Sequence, residues 1–571
     1  MAGPTRGRCT GRIGPEGDEV AQGIALSRFR AAWVGGALVV VAACTAAGHK
    51  VPPPSTDIDE IGFRDDVRVL ASDEFEGRKP GTPGEEKTVA FLVDQFRKLG
   101  LKPGNGESYL QQVPLVEIAA NGDATLSIKG RGGAKPLEYA KDMVIWTKRE
   151  VPEASLRRSE LVFVGYGIVA PEYEWNDYSQ VDVHGKTVVV MVGDPGYGTK
   201  DPKVFRGNAE TYYGRWPYKV EEAARQGAAG ILLIHDTGAA GYAWNVVVND
   251  RTGPQLEAAT SDGNAGRAAI EGWVSLAAAR GMFEQAGLDF EALTAAAARP
   301  SFKATAMGLE ADAAVHNTLR RFTSSNVIAV LPGANHKREY VIYTAHWDHL
   351  GRQSPQAGGA IFNGAVDDAS GVAGLLMLAQ SFSRTHPAAD RSVAFIAFTA
   401  EEAGLLGSSY YVGQPVFALR DTVAALNLDI LHIGGPTRDV MVFGYGNSEL
   451  EDYLKEAALL QGREIRPDPN PEQGFYYRSA QLSFARSGVP ALYAKAGLDD
   501  SAHGPAWGQQ QLNDYMTHRY HQTGDKYSAD WDVRGTLDDL RLYYEIGNRL
   551  AHSRRFPRFY PNSEFRVSRH P

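Results

Sequence analysis

Cysteine is nearly absent, with Cys9 and Cys44 the two thiols of a 571-residue chain. A disulfide framework and a thiolate metal site are therefore excluded from most of it. Positive charge is not in excess either: 59 Lys and Arg face 68 Asp and Glu, for a net charge of −9, which gives no reason to expect nucleic acid as a partner. The apolar run from Ala31 to Ala43 falls short of the roughly 20 residues that a membrane-spanning helix needs. Sixty-two glycines and thirty prolines are scattered without a collagen-like period, and no internal repeat is evident. The 43% apolar and 22% charged composition predicts a soluble globular protein with ample core, and the length predicts more than one domain.

That short apolar run follows Ser27-Arg28-Phe29-Arg30 and ends in small side chains, as the core of an export signal does. The segment V-A-A-Cys44 resembles a bacterial lipobox, so residues 1–43 are expected to be removed and Cys44 to become a lipidated first residue. Cys9 would leave with the signal. The long polar stretch from Met1 to Leu26 fits a start codon assigned too early, and Pro52 to Pro54 read as part of a tether spanning residues 44–58. The expected location is the cell envelope or periplasm.

Between Val341 and Asp525, short apolar runs end in metal-binding side chains: Y-V-I-Y-T-A-His346-W-Asp348, N-G-A-V-Asp367-Asp368-A-S-G, F-I-A-F-T-A-Glu401-Glu402 and A-A-L-N-L-Asp429. Three of these runs read as buried strands, and ligands collect at the carboxyl ends of strands in open α/β sheets. His521, in R-Y-H-Q-T-G-D, completes the set. Taken singly, each motif has an ordinary reading: a packed histidine, a helix cap, a solvated face or a turn. Their joint placement at strand ends is what points to a site.

Imidazole and carboxylate without thiolate suit zinc, or a similar divalent ion, in a catalytic centre. Two histidines and three carboxylates exceed one tetrahedral shell. They divide into one His and one carboxylate per ion with the last carboxylate shared, and two such ions sit about 3.5–4 Å apart. Of the adjacent Glu401 and Glu402, a continuing strand would turn one away from the ion, leaving it to act as general base. Asp348, two residues on, is placed to orient the His346 imidazole or its neighbours from behind. Asp367 and Asp368 precede an apolar helix, where the second would serve as a cap.

The series A-H-W-D-H-L-G, D-D-A-S-G-V-A, T-A-E-E-A-G-L-L-G-S and N-L-D resembles the di-zinc exopeptidase family of bacterial leucyl aminopeptidases, to which glutamate carboxypeptidase, glutaminyl cyclases and the transferrin receptor are related. The resemblance covers the chain from about Ile61 to its end. It implies His346 and Asp429 on one zinc, Glu402 and His521 on the other, Asp367 bridging, Glu401 as general base and Tyr520 supporting the oxyanion. Two Zn2+ are the implied cofactors, with Co2+ or Mn2+ as alternatives. Peptides are the implied substrates, in a lipid-anchored aminopeptidase. Where relatives show Arg-Ser-Asp-His or Arg-Ser-Asp-Gln, this chain has Arg478-Ser479-Ala480-Gln481, which bears on substrate positioning.

The expected fold is α/β, a mixed and mostly parallel sheet flanked by helices. Residues 59–123 and 306–571 would form the catalytic domain. Residues 124–305 resemble an inserted, β-rich protease-associated domain, which serves either as a cover that selects substrates or as a spacer. Trp244, Asn245 and the tyrosines around Tyr212 are its lid candidates, with core packing as the plainer role. His349 and His432 are expected to be structural or to support the ligands from behind. A one-zinc glutaminyl cyclase, a carboxypeptidase with Arg478 as its carboxylate partner, and a non-catalytic peptide-binding protein are the competing functions.

Overall fold

One strand, Thr305–Leu331, 27 residues long, runs through both halves of the molecule. Its burial changes along its length. Met307, Leu309, Ala311, Ala313 and Val315 are buried in alternation, as in a strand with one wet face, whereas Ser324 to Ala329 are buried without a break, as in a strand covered on both faces. The computed structural model describes residues 58–122, 124–353, 358–384 and 389–566. The expected signal segment, Cys44 and the tether prolines lie outside these residues. Among the described residues, no helix is long and apolar enough to cross a membrane.

The second half of the long strand belongs to a mixed sheet whose centre is parallel. Strand His336–His346 runs parallel to Arg391–Phe398 on one side and to Thr422–Asn427 on the other, and Thr422–Asn427 runs parallel to Ala491–Ala496. Asp439–Phe443 adds antiparallel to Ala491–Ala496 and parallel to Glu464–Pro467. On the far side, Val327 to Leu331 pair antiparallel with Arg391–Phe398, and Asn317 to Val327 pair with Leu110–Ala120.

Alternate side chains of these β-branched and aromatic runs face opposite ways. Val341, Tyr343, Ala345, Val393 and Phe395 pack with helices Glu60–Leu70, Ser370–Ser383 and Arg534–His552, where the Tyr343 and Phe395 rings stack at 5.5 Å. Ile342, Ala394, Ile396 and Phe398 pack on the other side with Tyr411 and Phe484. The expected α/β sheet flanked by helices is what the structure has.

The first half of the long strand enters a second sheet, pairing with Thr125–Gly130 and Glu153–Phe163. Parallel strands Thr187–Met191, Gly230–His235 and Ile270–Ser275 extend that sheet, with apolar clusters on each face: Val189, Leu232 and Val274 on one, Val188, Leu233 and Trp273 on the other. Strand Gln255–Ala258 leaves it to pair with Leu110–Ala120 of the first sheet. The stretch 124–305 thus carries its own core yet shares strands with its neighbour.

Arg78 ties the N-terminal segment to the first sheet. Its side chain is buried and donates to four carbonyl oxygens: Nε to Trp347 at 3.0 Å, Nη1 to Leu70 at 2.8 Å and Asn363 at 2.7 Å, and Nη2 to Gly364 at 2.8 Å. Its φ of 53° is in the left-handed region, which costs energy for a residue with a Cβ and is offset by this set of bonds. Arg78→Gln, which keeps part of the volume and loses the charge and most donors, is expected to destabilise the fold by about 3–5 kcal/mol. Urea denaturation checks this, and a loss below about 1 kcal/mol would contradict it.

Candidate metal centre

Parallel strands present their carboxyl ends at one edge, and the candidate ligands gather there. His346 is the last residue of its strand; Glu401 and Glu402 follow the strand that ends at Phe398, and Asp429 follows the strand that ends at Asn427. Asp367 and Asp368 are joined by a cis peptide bond in the turn that leads into helix Ser370–Ser383. Gly364 opens that turn with φ 55°, and a Cβ there would lie 2.3 Å from the Asp367 carbonyl oxygen, so glycine is required. His521 lies beyond helix Pro505–His518.

The Asp367 carboxylate stands between the two imidazoles. Its Oδ1 is 3.3 Å from His346 Nε2 and its Oδ2 is 3.3 Å from His521 Nε2. Glu402 Oε2 is 3.1 Å from His521 Nε2, and Asp429 Oδ1 is 3.8 Å from His346 Nε2. Ligand atoms of His346, Asp367 and Glu402 lie within 4.8 Å of one another, as do those of His346, Asp368 and Asp429. Asp429 Oδ1 is buried without a hydrogen-bond partner, which is costly for a carboxylate oxygen unless a cation meets it. With no thiolate present, this donor set fits zinc or a similar divalent ion.

Asp368 falls in the second group, but its oxygens are already engaged. Oδ2 accepts from the His346 backbone N–H at 3.1 Å, and Oδ1 accepts from Gly371 at 3.0 Å and Ile430 at 3.3 Å. It caps the helix and pins two strand ends, while Asp367 presents the less committed carboxylate to the imidazoles.

Asp348 stands beside the His346 imidazole, its Oδ1 3.7 Å from Nδ1. His346 Nδ1 meets the Asp348 backbone carbonyl at 3.1 Å, whereas the Asp348 carboxylate accepts from the backbone N–H groups of Glu401 at 3.0 Å and Glu402 at 3.4 Å. It therefore holds the Glu-Glu loop. The Asp525 carboxylate accepts from the Val366 and Asp367 backbone N–H groups at 3.0 to 3.1 Å and so holds the Asp-Asp turn. His349 supports the centre from behind, with its Nδ1 2.6 Å from Glu402 Oε1. The strand ends at Phe398, so strand alternation does not govern Glu401 and Glu402, and both line the same cleft.

Protein groups alone push the carboxylates in opposite directions. Burial raises the Glu401 pKa well above the ordinary carboxylate range, opposed by His346 and reinforced by Asp429 and Glu402. For Glu402 burial acts the same way, but His521 and His349 outweigh it and lower it to about 2. Asp367 is likewise held below the ordinary range, its two imidazole hydrogen bonds overcoming burial. The environment thus separates one proton-accepting glutamate from two anionic neighbours. Burial is the main cause that pushes the Tyr520 hydroxyl up to about 12, so it remains a donor at neutral pH.

These residues line a cleft of about 520 Å³, together with Tyr212, Arg215, Trp216 and Arg251 from the second-sheet segment and with Arg478 and Tyr520. Tyr212 is thus a wall residue. Trp244 instead donates to the Ala140 carbonyl at 2.9 Å and packs edge-on to His235. A larger cavity of about 1070 Å³ lies along Arg554 to Pro561 and includes none of the candidate ligands.

Residues 326–544 match the model of peptidase family M28. Aminopeptidase NAALADL1 of Mus musculus is 35% identical over 128 residues, 22% of this chain and 16% of that protein. Aminopeptidase YwaD of Bacillus subtilis (strain 168) is 40% identical over 91 residues, 16% of this chain and 18% of that protein. The matched segments thus span less than a fifth of either relative. Among solved structures, the aminopeptidase from Aneurinibacillus sp. strain AM-1 is similar with a TM-score of 0.48 and 21% identity, covering 86% of this chain and 94% of that one.

Glu402→Ala removes a carboxylate that faces His521. Zinc stoichiometry after equilibrium dialysis is expected to fall below that of the wild type, and full loading would remove Glu402 from the ligand set.

Proposed function

We propose that this chain, which over residues 326–544 belongs to peptidase family M28, is a zinc-dependent aminopeptidase that removes N-terminal residues from peptides. The observation that carries this reading is the Asp367 carboxylate, set with one oxygen toward His346 and the other toward His521. Glu402 and Asp429 stand at the two ends of that line. In this reading His346 and Asp429 hold one ion, Glu402 and His521 the other, and Asp367 is shared. Bound zinc supplies Lewis acidity that polarises the scissile carbonyl and lowers the pKa of a water molecule.

The remaining work falls to side chains. Glu401, whose proton affinity is raised by burial among carboxylates, takes a proton from the attacking water and returns it to the departing amine. Asp348 fixes the loop that aims it through the Glu401 backbone N–H. Tyr520, stacked on His521 with ring centroids 4.0 Å apart, lines the cleft as a protonated hydroxyl suited to the oxyanion.

We also propose export and lipid attachment at Cys44, supported by the signal-like residues 27–44. Cys44→Ser is expected to shift the protein from the membrane pellet to the soluble fraction, and an unchanged distribution would count against a lipid anchor.

The activity is tested with free and N-acetylated peptides, with and without chelator and zinc restoration. Cleavage confined to free N-termini, lost with chelator and regained with zinc, is the expected outcome. No cleavage of any peptide by zinc-loaded protein would sink the proposal. Glu401→Gln is expected to lower kcat by at least about 100-fold at unchanged zinc content, and normal turnover would remove it as the base.

A further inference from the structure

The cleft has a cationic wall as well as a ligand cluster. Four guanidinium groups line it, from Arg215, Arg251, Arg478 and Arg486. They are unequally committed. Arg486 lies 3.2 Å from Glu221 and over the Tyr212 ring at 4.5 Å. Arg215 meets Glu210 at 3.4 Å. Arg251 lies over the Trp216 ring at 4.7 Å and donates to Gln255 Oε1 at 2.9 Å, with no carboxylate within 4.0 Å among the described residues. Arg478 donates through Nη2 to the Gln473 carbonyl at 2.6 Å, and it too has no ion pair among the described residues. Its Nε is buried and lacks an acceptor.

Arg215, Arg251 and Arg478 line the same cleft, and all three act electrostatically on Tyr242. The acids nearby offset them only in part. Glu210 pairs with Arg215 and also acts on Arg478, and Glu221 pairs with Arg486 and Arg225. The exposed Asp250 acts on Arg251 and Arg478 without an ion pair to either among the described residues. A buried N–H without an acceptor is a cost that a bound anion relieves, and a planar guanidinium matches a carboxylate in shape. An aminopeptidase leaves a single residue on the acyl side of the bond it cuts. Most of the wall is therefore left for the departing part of the substrate.

We infer that Arg251 and Arg478 form a subsite for a carboxylate on the leaving side of the scissile bond, so that short peptides with a nearby C-terminal carboxylate, or an acidic side chain there, are the favoured substrates. This rests on the peptidase reading above. Hydrolysis adds water across the C–N bond, hydroxyl to the acyl carbon and proton to the amine, and the subsite holds the departing amine's own chain without entering that exchange. The cleft of about 520 Å³ is of the size that accommodates small ligands.

The test compares kcat/KM of the zinc-loaded full chain for Leu-Ala, Leu-Ala-amide, Leu-Asp-amide and Glu-Ala-amide. The carboxylate-bearing Leu-Ala or Leu-Asp-amide is expected to exceed Leu-Ala-amide by at least about tenfold, the scale of one charge-assisted hydrogen bond. Preference for Leu-Ala identifies the terminal carboxylate as the group bound, and preference for Leu-Asp-amide identifies the side chain. Arg478→Gln and Arg251→Gln are expected to bring that ratio toward unity, with Arg251→Lys retaining part of it. Equal rates for the neutral and anionic leaving groups would overturn the subsite while leaving the peptidase reading intact. Faster cleavage of Glu-Ala-amide than of the other three would overturn it by moving the carboxylate to the acyl side. Failure to cleave any of the four would remove the peptidase reading and this inference with it. The wild-type comparison decides even if a variant fails to fold.

Discussion

Packing several carboxylates into one buried corner is the constraint around which this structure is arranged. Asp348, Asp367, Asp368, Glu401, Asp429 and Asp525 are all buried, with Glu402 beside them. Like charges in a poorly solvated space repel strongly, and each pays to leave water. The Arg78 guanidinium meets part of that cost from behind the site. It is influenced by Asp368, Asp525, Asp367 and Asp348, and its hydrogen bonds grip the Trp347 carbonyl between two site residues and the Gly364 carbonyl at the start of the Asp-Asp turn. A cation too deep to reach the ligand space supplies charge without competing for the ligands.

The carboxylates then divide by what they hold. Asp348, Asp368 and Asp525 are spent on backbone N–H groups, which lowers the energy of burying them and fixes the loops that carry the others. Asp367, Glu402 and Asp429 face imidazoles, and Glu401 stays apart with raised proton affinity. One kind of group, the carboxylate, thus anchors backbone in some positions and faces imidazoles in others, and in the proposed reading also moves a proton.

Much of this was legible in the sequence because strands advertise themselves. The runs ending at His346, Glu401 and Asp429 are short, apolar and rich in β-branched or aromatic residues, and parallel packing brings their ends together. His349 was harder to place, since three residues beyond His346 the chain is irregular and no period indicates where a side chain turns. Arg78 had no local signal at all: its partners Trp347, Asn363 and Gly364 lie 269 to 286 positions away. Of the cationic wall only Arg478 stands out in the sequence; Arg215, Arg251 and Arg486 come from separate segments brought together by the fold. Patterns of period 2 or 3.6 report which face is buried, whereas a loop residue's long-range partner is set by topology.

The shared strand also bears on how the chain assembles. Leu110–Ala120 finds its partner in Asn317 to Val327, ~200 residues later, so at 5–20 residues per second a ribosome needs roughly 10–40 s to deliver it. Through that interval Val113, Leu115 and Val116 must be sheltered by something other than their final neighbour. Such late, distant pairing slows folding and exposes apolar strand edges. The segment between can form much of its own apolar core in the meantime, whereas the last part of the long strand must wait for Arg391–Phe398 to follow it. Synthesis order therefore makes the second-sheet half the earlier one to mature, and the half that carries the ligand cluster is finished after it.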